Sequence, residues 1–387
     1  MYYIVTIPTV KGREEALDKC LHSILNDKTY LGYPILVVGQ NSDTSLEILR
    51  RENIFYLGPK NIEKLIDYLQ SKLELSIEDL SVLFNLFSIG GARNALTVLS
   101  FLFSEDPAVI SVDDDEEVVD GFFGEHVRLL GTQHKGRTIT LVTGPYENHD
   151  SYVGIETLFY ILRRKRDIEI VNEALQGRMP SRKKNRNYIY GVEGARGGNL
   201  SRCRTALLIP YIYSAGEVCM RGGDEIQADI NQIIYPETVN VYTPHATVIH
   251  TGPPRNLAPI IEGEILGIIV HRVIRELFEK GCLGKKGLTD ENLDISGLVE
   301  THTTKVCEEN KRLLCKKRYF RYPQPIEDEL RKLKSYILNL LNENQPELKK
   351  HAILHLNNLF FGLRNWENII NCILEVDDAT KIKILSH

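Results

Sequence analysis

Hydrophobic residues in the first third of the chain switch repeatedly between two spacings. YYIVTI (2–7) is a continuous β-rich run, the pattern of a strand covered on both faces. REEALDKCLHSIL (13–25) then sets Ala16, Leu17, Cys20, Leu21 and Ile24 at helical spacing, which predicts a helix with one buried stripe. YPILVVGQNS (33–42) reads as a second buried strand running into turn residues, and NIFYLG (53–58) as a third. NIEKLIDYLQSKL (61–73) aligns Ile62, Leu65, Ile66, Leu69 and Leu73 on one helical face. GGARNALTVLSFLF (90–103) opens another helix after a glycine pair, and PAVISV (107–112) is a further strand. Strands alternating with helices predict an α/β layer whose sheet is mostly parallel and flanked by helices.

The pattern loosens from Thr138 to about Gly252, where strand-like pieces (TITLVTG, NYIYGV, TVNVYTPHATVIH) are separated by loops rich in Gly, Arg and Asn. After Pro253-Pro254 it turns helical. IIEGEILGIIVHRVIRELFEKG ends on Gly281, a C-cap candidate, and IEDELRKLKSYILNLLN and PELKKHAILHLNNLFFGLRNWENIINCIL follow. The chain therefore divides into 1–135, 136–255 and an additional α-helical C-terminal region, 256–387. No internal repeat or low-complexity tract interrupts it.

Composition narrows the class. A length of 387 residues suffices for one large core or two ordinary ones, and a net charge of −5 argues against bulk nucleic-acid binding. Seven scattered cysteines without a CxxC pair fit a reduced, cytoplasmic protein rather than a disulfide frame or a zinc site. The N-terminus lacks the pattern of a signal peptide, and no apolar run reaches the ~18 residues of a transmembrane segment. Two basic clusters, LRRKRD with SRKKNRN and NKRLLCKKRYFRY, read as solvated helix faces, although the SRKKNRN loop could close over an anionic ligand.

The chemistry concentrates at PAVISVDDDEEVVDG (107–121), where a buried strand gives way to five consecutive carboxylates, Asp113 to Glu117. Adjacent carboxylates repel, so either a cation sits among them or water screens them. A parallel strand would deliver Asp113, Asp114 and Asp115 to the sheet edge where ligands bind. A hard divalent cation takes oxygen ligands there and keeps phosphate and water in its other positions. A solvated acidic turn explains the tripeptide alone equally well. Its company favours the first reading: GGARNAL at Gly90 with Arg93 and Asn94, GARGGNLSR with Asn199, MRGGDE (220–225), and TVIHTGPPR with His250 at a strand end.

Taken in order, IVTIPTVKGR, ILVVGQNS, GGARNAL, VISVDDDE, GGNLSR and RGGDE resemble glycosyltransferases of the GT-A type, family-2-like members with a DxD motif included, over roughly Tyr3 to Arg255. The resemblance implies a GT-A-like sheet, a nucleotide-sugar-binding half in 1–135 and an acceptor-binding catalytic half in 136–255. It implies that Pro8, Thr9 and Arg13 cradle nucleotide base and phosphates, and that Gln40, Asn41 and Ser42 lie at base or ribose. Gly91, Arg93 and Asn94 would face the diphosphate, Asp113 would touch ribose or sugar, Asn199 the donor sugar, and Asp114 could by register take the role of either Asp113 or Asp115. Asp115 and His250 would hold Mn2+ or Mg2+, and Asp224 or Glu225 would be the base for the acceptor.

Simpler roles stand beside these. Arg13 can be a helix-start charge, Asn41 and Ser42 a turn, Asn94 an N-cap, His250 a satisfied core histidine, and Asp224 or Glu225 first-turn helix charges. The expected function is metal-dependent transfer of a sugar, hexosyltransferase-like, from a nucleoside-diphosphate sugar to an acceptor hydroxyl or amine. A sugar-phosphate nucleotidyltransferase ranks lower, because IPTVKGRE has a single glycine after the first strand. A non-catalytic nucleotide-sugar-binding or scaffold protein would not need both a metal site and the Asp224/Glu225 pair. The C-terminal helices are the expected surface for any homo-oligomer.

Overall fold

The computed structural model describes residues 1–40, 46–147, 149–150, 168–175, 179–180, 189–190, 198–213, 220–252, 257–290, 293–315 and 322–386. The α/β layer expected from the pattern is present. β1 (Tyr2–Thr9), β2 (Ile35–Gly39), β3 (Ile54–Leu57) and β4 (Pro107–Val112) run parallel in the order β3-β2-β1-β4. Every residue of β2 and β4 is buried, which is why these runs are continuously apolar. α1 (Glu14–Asn26), α2 (Pro59–Lys72), α3 (Ile77–Leu83) and α4 (Ile89–Ser100) connect or flank them.

β5 (Glu116–Val118) and α5 (Phe122–Leu129) follow the acidic turn. The short strands β6 (Gln133–His134), β8 (Tyr146–Glu147), β9 (His149–Asp150), β10 (Met179–Pro180) and β11 (Ile189–Tyr190) are interleaved with β7 (Arg137–Thr143) and α6 (Ile168–Leu175). β12 (Asn199–Arg202) inserts antiparallel between β4 and β7, and β13 (Thr238–Tyr242) pairs parallel with β7. α7 (Arg204–Leu207) and α8 (Gly223–Ile234) lie between them in sequence. Among the described residues the main sheet has nine strands. The stretch TVNVYTPHATVIH does not stay in one sheet. Its first part is β13, and its end, β14 (Val248–His250), joins β5 and β8 in a separate three-stranded sheet. Pro244 lies between them, a residue that cannot donate to a ladder.

The C-terminal helices α9 (Leu257–Glu279), α10 (Ile295–Cys315), α11 (Gln324–Asn342), α12 (Gln345–Leu374) and α13 (Asp378–Leu385) follow, with a hairpin of β15 (Leu283–Gly284) and β16 (Gly287–Leu288) after α9. Gly281 adopts positive φ just past α9, as its C-cap role requires. The boundary near Pro254 lies outside the described residues, and packing crosses it on both sides. One core joins Ile226 and Ile230 of α8 to Ile261, Ile265 and Ile269 of α9. Another joins Ile4, Leu36, Leu65 and Leu96 of the parallel half to Trp366, Ile370 and Ile384. Asn61 of α2 donates its amide to the carbonyls of Ile384 and Ser386. No helix among the described residues is long and apolar enough to cross a membrane.

Trp366 is 1% exposed and donates its indole N–H to Leu207 O at 2.9 Å. Trp366→Ala is therefore expected to lower unfolding free energy by about 3–5 kcal/mol, through the cavity and the orphaned carbonyl. Denaturant titration followed by fluorescence-independent circular dichroism measures this. A loss below about 1 kcal/mol would mean that the helical region is not integral to the sheet core.

Candidate active site

β1 and β4 are neighbours, yet the chain leaves them in opposite directions across the sheet, and ligands bind at such switch points in open α/β folds. The residues after β1 and β4 meet there. Thr9 Oγ1 donates to Asp114 Oδ2 at 2.8 Å, and Arg13, just ahead of α1, reaches Asp114 Oδ1 at 2.7 Å and Asp115 Oδ2 at 2.9 Å. Arg93, in the second turn of α4, donates to Asp113 Oδ1 at 2.9 Å and to Asp224 Oδ1 at 2.5 Å. The cations among the carboxylates are thus two of the protein's own guanidinium groups.

Burial decides how each charge is held. Arg93 is 5% exposed, and although burial opposes its charge, Asp224 and Asp113 outweigh that and keep its pKa well above the usual arginine value. Arg13 is likewise raised by Asp114 and Asp115 against its desolvation. Burial pulls the Asp114 carboxyl up, against Arg13 and Thr9, which pull it down. Glu116 lies fully buried beside Asp113 and Asp115 and is pushed well above the usual carboxyl range. It accepts a hydrogen bond from Asp113 N, and Gly198 packs so tightly on its carboxyl that a Cβ would not fit.

The β5–β14–β8 sheet brings the last element in. His250 pairs with Glu116 across β5 and β14, and its Nε2 stands 3.5 Å from Asp115 Oδ2. Thr251 donates twice to Asp115 O, at 2.8 and 3.0 Å, and Gly252 has no room for a Cβ beside Asp115 and His250. Both side chains are nearly closed to solvent, and an imidazole nitrogen beside a carboxylate oxygen is a donor pair better matched to Mn2+ than to Mg2+, although the same Asp115 oxygen also accepts from Arg13. Among the described residues no group of three or more His, Cys, Asp or Glu converges on one metal position, so further ligands would come from a diphosphate and water.

The other expected site residues separate into two groups. Asp113, Asp114, Asp115, Arg13, Thr9, Arg93, Asp224 and His250 form one constellation. Of the adjacent acids in RGGDE it is Asp224 that meets Arg93, because Gly222 turns the chain at φ 82° and Gly223 opens α8. Glu225, one position on, lines a small water-sized cavity with Arg221, Glu264 and His271 instead. Pro8 is buried within β1, paired with Val38. Gln40 donates to Leu86 O, bracing the loop ahead of α4. Asn41 and Ser42 lie outside the described residues.

Three of the expected site residues are packed into the protein's own backbone. Asn94 does not cap α4, whose N-cap is Ser88. It is fully buried, donating to Leu83 O and Tyr211 O and accepting from Tyr211 N. Gly91 does open a close backbone approach, but to Asn85 of the same chain, as Gly90 does to Ile212. Asn199 lies on strand β12, not in a loop, and its amide donates to Pro145 O and Ala246 O. All three are scaffold behind the constellation. Sequence reading passed over the buried residues Arg202, Tyr211 and His126. An arginine in strand alternation within GGNLSR was the available signal for the first.

No protein-family model matches the chain, and no curated protein matches it in sequence. Among solved structures it is similar to a mannosyltransferase from Pyrobaculum calidifontis in complex with GDP-Man and Mn2+, at 11% identity and TM-score 0.41, covering 94% of this chain and 87% of that one. It is also similar to residues 1–349 of S. aureus TarS at 12% identity and TM-score 0.40, covering 95% and 91%. The same protein in complex with UDP gives a TM-score of 0.37 at 12% identity and the same coverage.

His126 generates a pH prediction. Its ring contacts Ser201 Oγ at 2.9 Å and Asn199 Oδ1 at 3.2 Å, and since an amide oxygen only accepts, Nε2 carries the proton and Nδ1 accepts from Ser201. Burial lowers its pKa to about 4 from the ordinary 6.5. The unfolded chain therefore binds a proton at higher pH than the folded one. Stability is full above pH ~6.5 and falls by roughly 3 kcal/mol as pH drops from there through 4. Melting curves of wild type and His126→Gln across pH 4–7 should converge toward low pH by that amount, whereas parallel curves would place the His126 charge elsewhere.

Proposed function

We propose that this protein transfers a sugar from a nucleoside-diphosphate sugar to an acceptor hydroxyl or amine, with a divalent cation. The observation that carries this reading is the constellation at the carboxyl end of β1 and β4: Asp113, Asp114 and Asp115 with Arg13, Arg93, Asp224 and His250. Its geometry serves each part of the reaction. Arg93 offers a guanidinium of locked charge to a developing diphosphate, and Arg13 a second one. Asp113 and Asp224 accept from the two ends of one rigid guanidinium fork, which fixes the spacing of donor-side and acceptor-side carboxylates. Asp224 takes the proton of the acceptor O–H while the acceptor oxygen bonds to the anomeric carbon and the nucleoside diphosphate departs. Asp115 and His250 would hold Mn2+ or Mg2+, which supplies neutralisation of the leaving diphosphate. The base assignment makes the transfer an inverting one.

Thermal shift with UDP-, GDP-, ADP- and dTDP-sugars, each with and without Mn2+, tests the reading. One donor should stabilise the fold only with the cation, by about 2.7 kcal/mol at a hundred times its Kd. Asp115→Ala should fold and lose the Mn2+ dependence. Retention of that dependence, or no stabilisation by any of the four donors, sinks the proposal.

The chemical step has its own test. Asp224→Asn should keep donor affinity close to wild type and lower the melting temperature, because the buried Arg93 loses one of its two carboxylates, while nucleoside-diphosphate release, with water or an acceptor, falls about 10²–10⁴-fold. Glu225→Gln should stay near wild type. Equal and full activity of both amides removes the inverting base.

A further inference from the structure

Arg202 is the charged residue that the site leaves unexplained. It closes β12, inside the sheet between Val109 of β4 and Leu141 of β7, and is 1% exposed. Strand alternation sends Asn199 and Ser201 to His126 on one face and Arg202 to α4 on the other. Its NH2 donates to Thr97 Oγ1 at 3.2 Å, while among the described residues Nε and NH1 have no hydrogen-bond partner. Among the described residues no carboxylate lies in ion-pair range of it. Burying a cation in this way is costly, and an aliphatic side chain would fill a sheet interior without that cost.

What Arg202 touches connects it to the constellation. Its guanidinium lies over the ring of Tyr211 at 4.5 Å, and that of Arg93 lies over the same ring at 5.5 Å. Tyr211 is itself 2% exposed and has its backbone N–H fixed by Asn94. Thr97, which receives the Arg202 hydrogen bond, donates its own hydroxyl to Arg93 O one helical turn back. Ring and helix turn therefore both join the two arginines. Burial lowers the Arg202 pKa, Tyr211 opposes that, Arg93 adds to it and Asp224 opposes it, the pattern of two like charges sharing one ring and one nearby carboxylate.

We propose that Arg202 is a positioning residue: through the Tyr211 ring that both arginines contact, its charge helps to hold the Arg93 guanidinium on Asp113 and Asp224, and so fixes where the Asp224 carboxylate stands. The catalytic consequence rests on Asp224 being the base, whereas the positioning itself does not. Cation–π attraction keeps both guanidiniums on the ring, and their mutual repulsion leaves Arg93 only the side that carries carboxylates. Methionine at 202 would fill the volume and remove the charge; lysine would keep the charge and lose the planar stack.

Crystal structures of Arg202→Met and Tyr211→Leu give the direct test. Arg93 should leave Asp224, with the NH1–Oδ1 separation opening beyond hydrogen-bond distance. Nucleoside-diphosphate release from the UDP-, GDP-, ADP- and dTDP-sugars, with water as acceptor, gives the second readout. In the folded variants kcat should fall about 10- to 100-fold at unchanged donor KM, as expected for misplacement of a reacting group. Arg202→Lys should recover part of that loss, and the double variant should be no worse than the worse single one. Should one variant fail to fold, the other carries the structural test alone. Arg93 still seated on Asp224 in either structure overturns the proposal, as does a change confined to melting temperature with kcat intact. Displacement of Arg93 together with a fully active Asp224→Asn keeps the positioning and removes only the base assignment.

Discussion

Ion pairing between two arginines and the acids of one turn is the condition on which the rest of the site depends. Asp113, Asp114 and Asp115 follow a strand without a break, and Asp114 and Asp115 can be buried beside a partly exposed Asp113 only because Arg13 and Arg93 approach from two other elements. Glu116, which neither arginine reaches by a hydrogen bond, has its carboxyl pushed upward by burial and by Asp113 and Asp115. The pairs also span the chain: Arg13 bonds residues 101 and 102 positions away, and Arg93 bonds Asp224, 131 positions on. Start of α1, body of α4, end of β4 and start of α8 are thereby fixed to one point.

Delivering those arginines is the work of otherwise inconspicuous residues. α4 can sink deep enough for Arg93 because Gly90 and Gly91 let its first turn touch the backbone of Ile212 and Asn85. Asn94 then locks the same helix to Leu83 and Tyr211 through its amide. On the other face Asn199 gathers the carbonyls of Pro145 and Ala246, from segments that lead into β8 and β14, and so sets the height of His250. Each amide joins two loops that would otherwise need separate partners for buried carbonyls.

The sequence showed the strands and helices of the parallel half because their patterns are local: β1, β2, β4, α1, α2 and α4 each sit where apolar period and turn residues put them. It also showed the acidic turn as a place where charge must be balanced. It could not show that the balancing cations were Arg13 and Arg93 pairing with the turn, since such pairing appears only when distant elements meet. The same limit applies to Asn94, Gly91 and Asn199, whose contacts with other backbone segments cannot be read from a string of polar and small residues. β14 was hidden within a long β-rich stretch, because periodicity reports that residues form strands and not which sheet receives them.

The embrace of the parallel half by α12 and α13 has a consequence for biosynthesis. Ile62, Leu65, Leu96 and Leu99 emerge early, yet the residues that cover them, Trp366, Ile369, Ile370 and Ile384, come last. Asn61 and its carbonyl partner Ile384 are 323 positions apart. At 5–20 residues per second a ribosome needs on the order of tens of seconds to make that interval. During all of it the nascent sheet shows water an apolar surface that nothing yet synthesised can cover. In a chain built this way the last helices made complete the core that the first strands begin, so the sheet reaches its finished packing only at the end of synthesis.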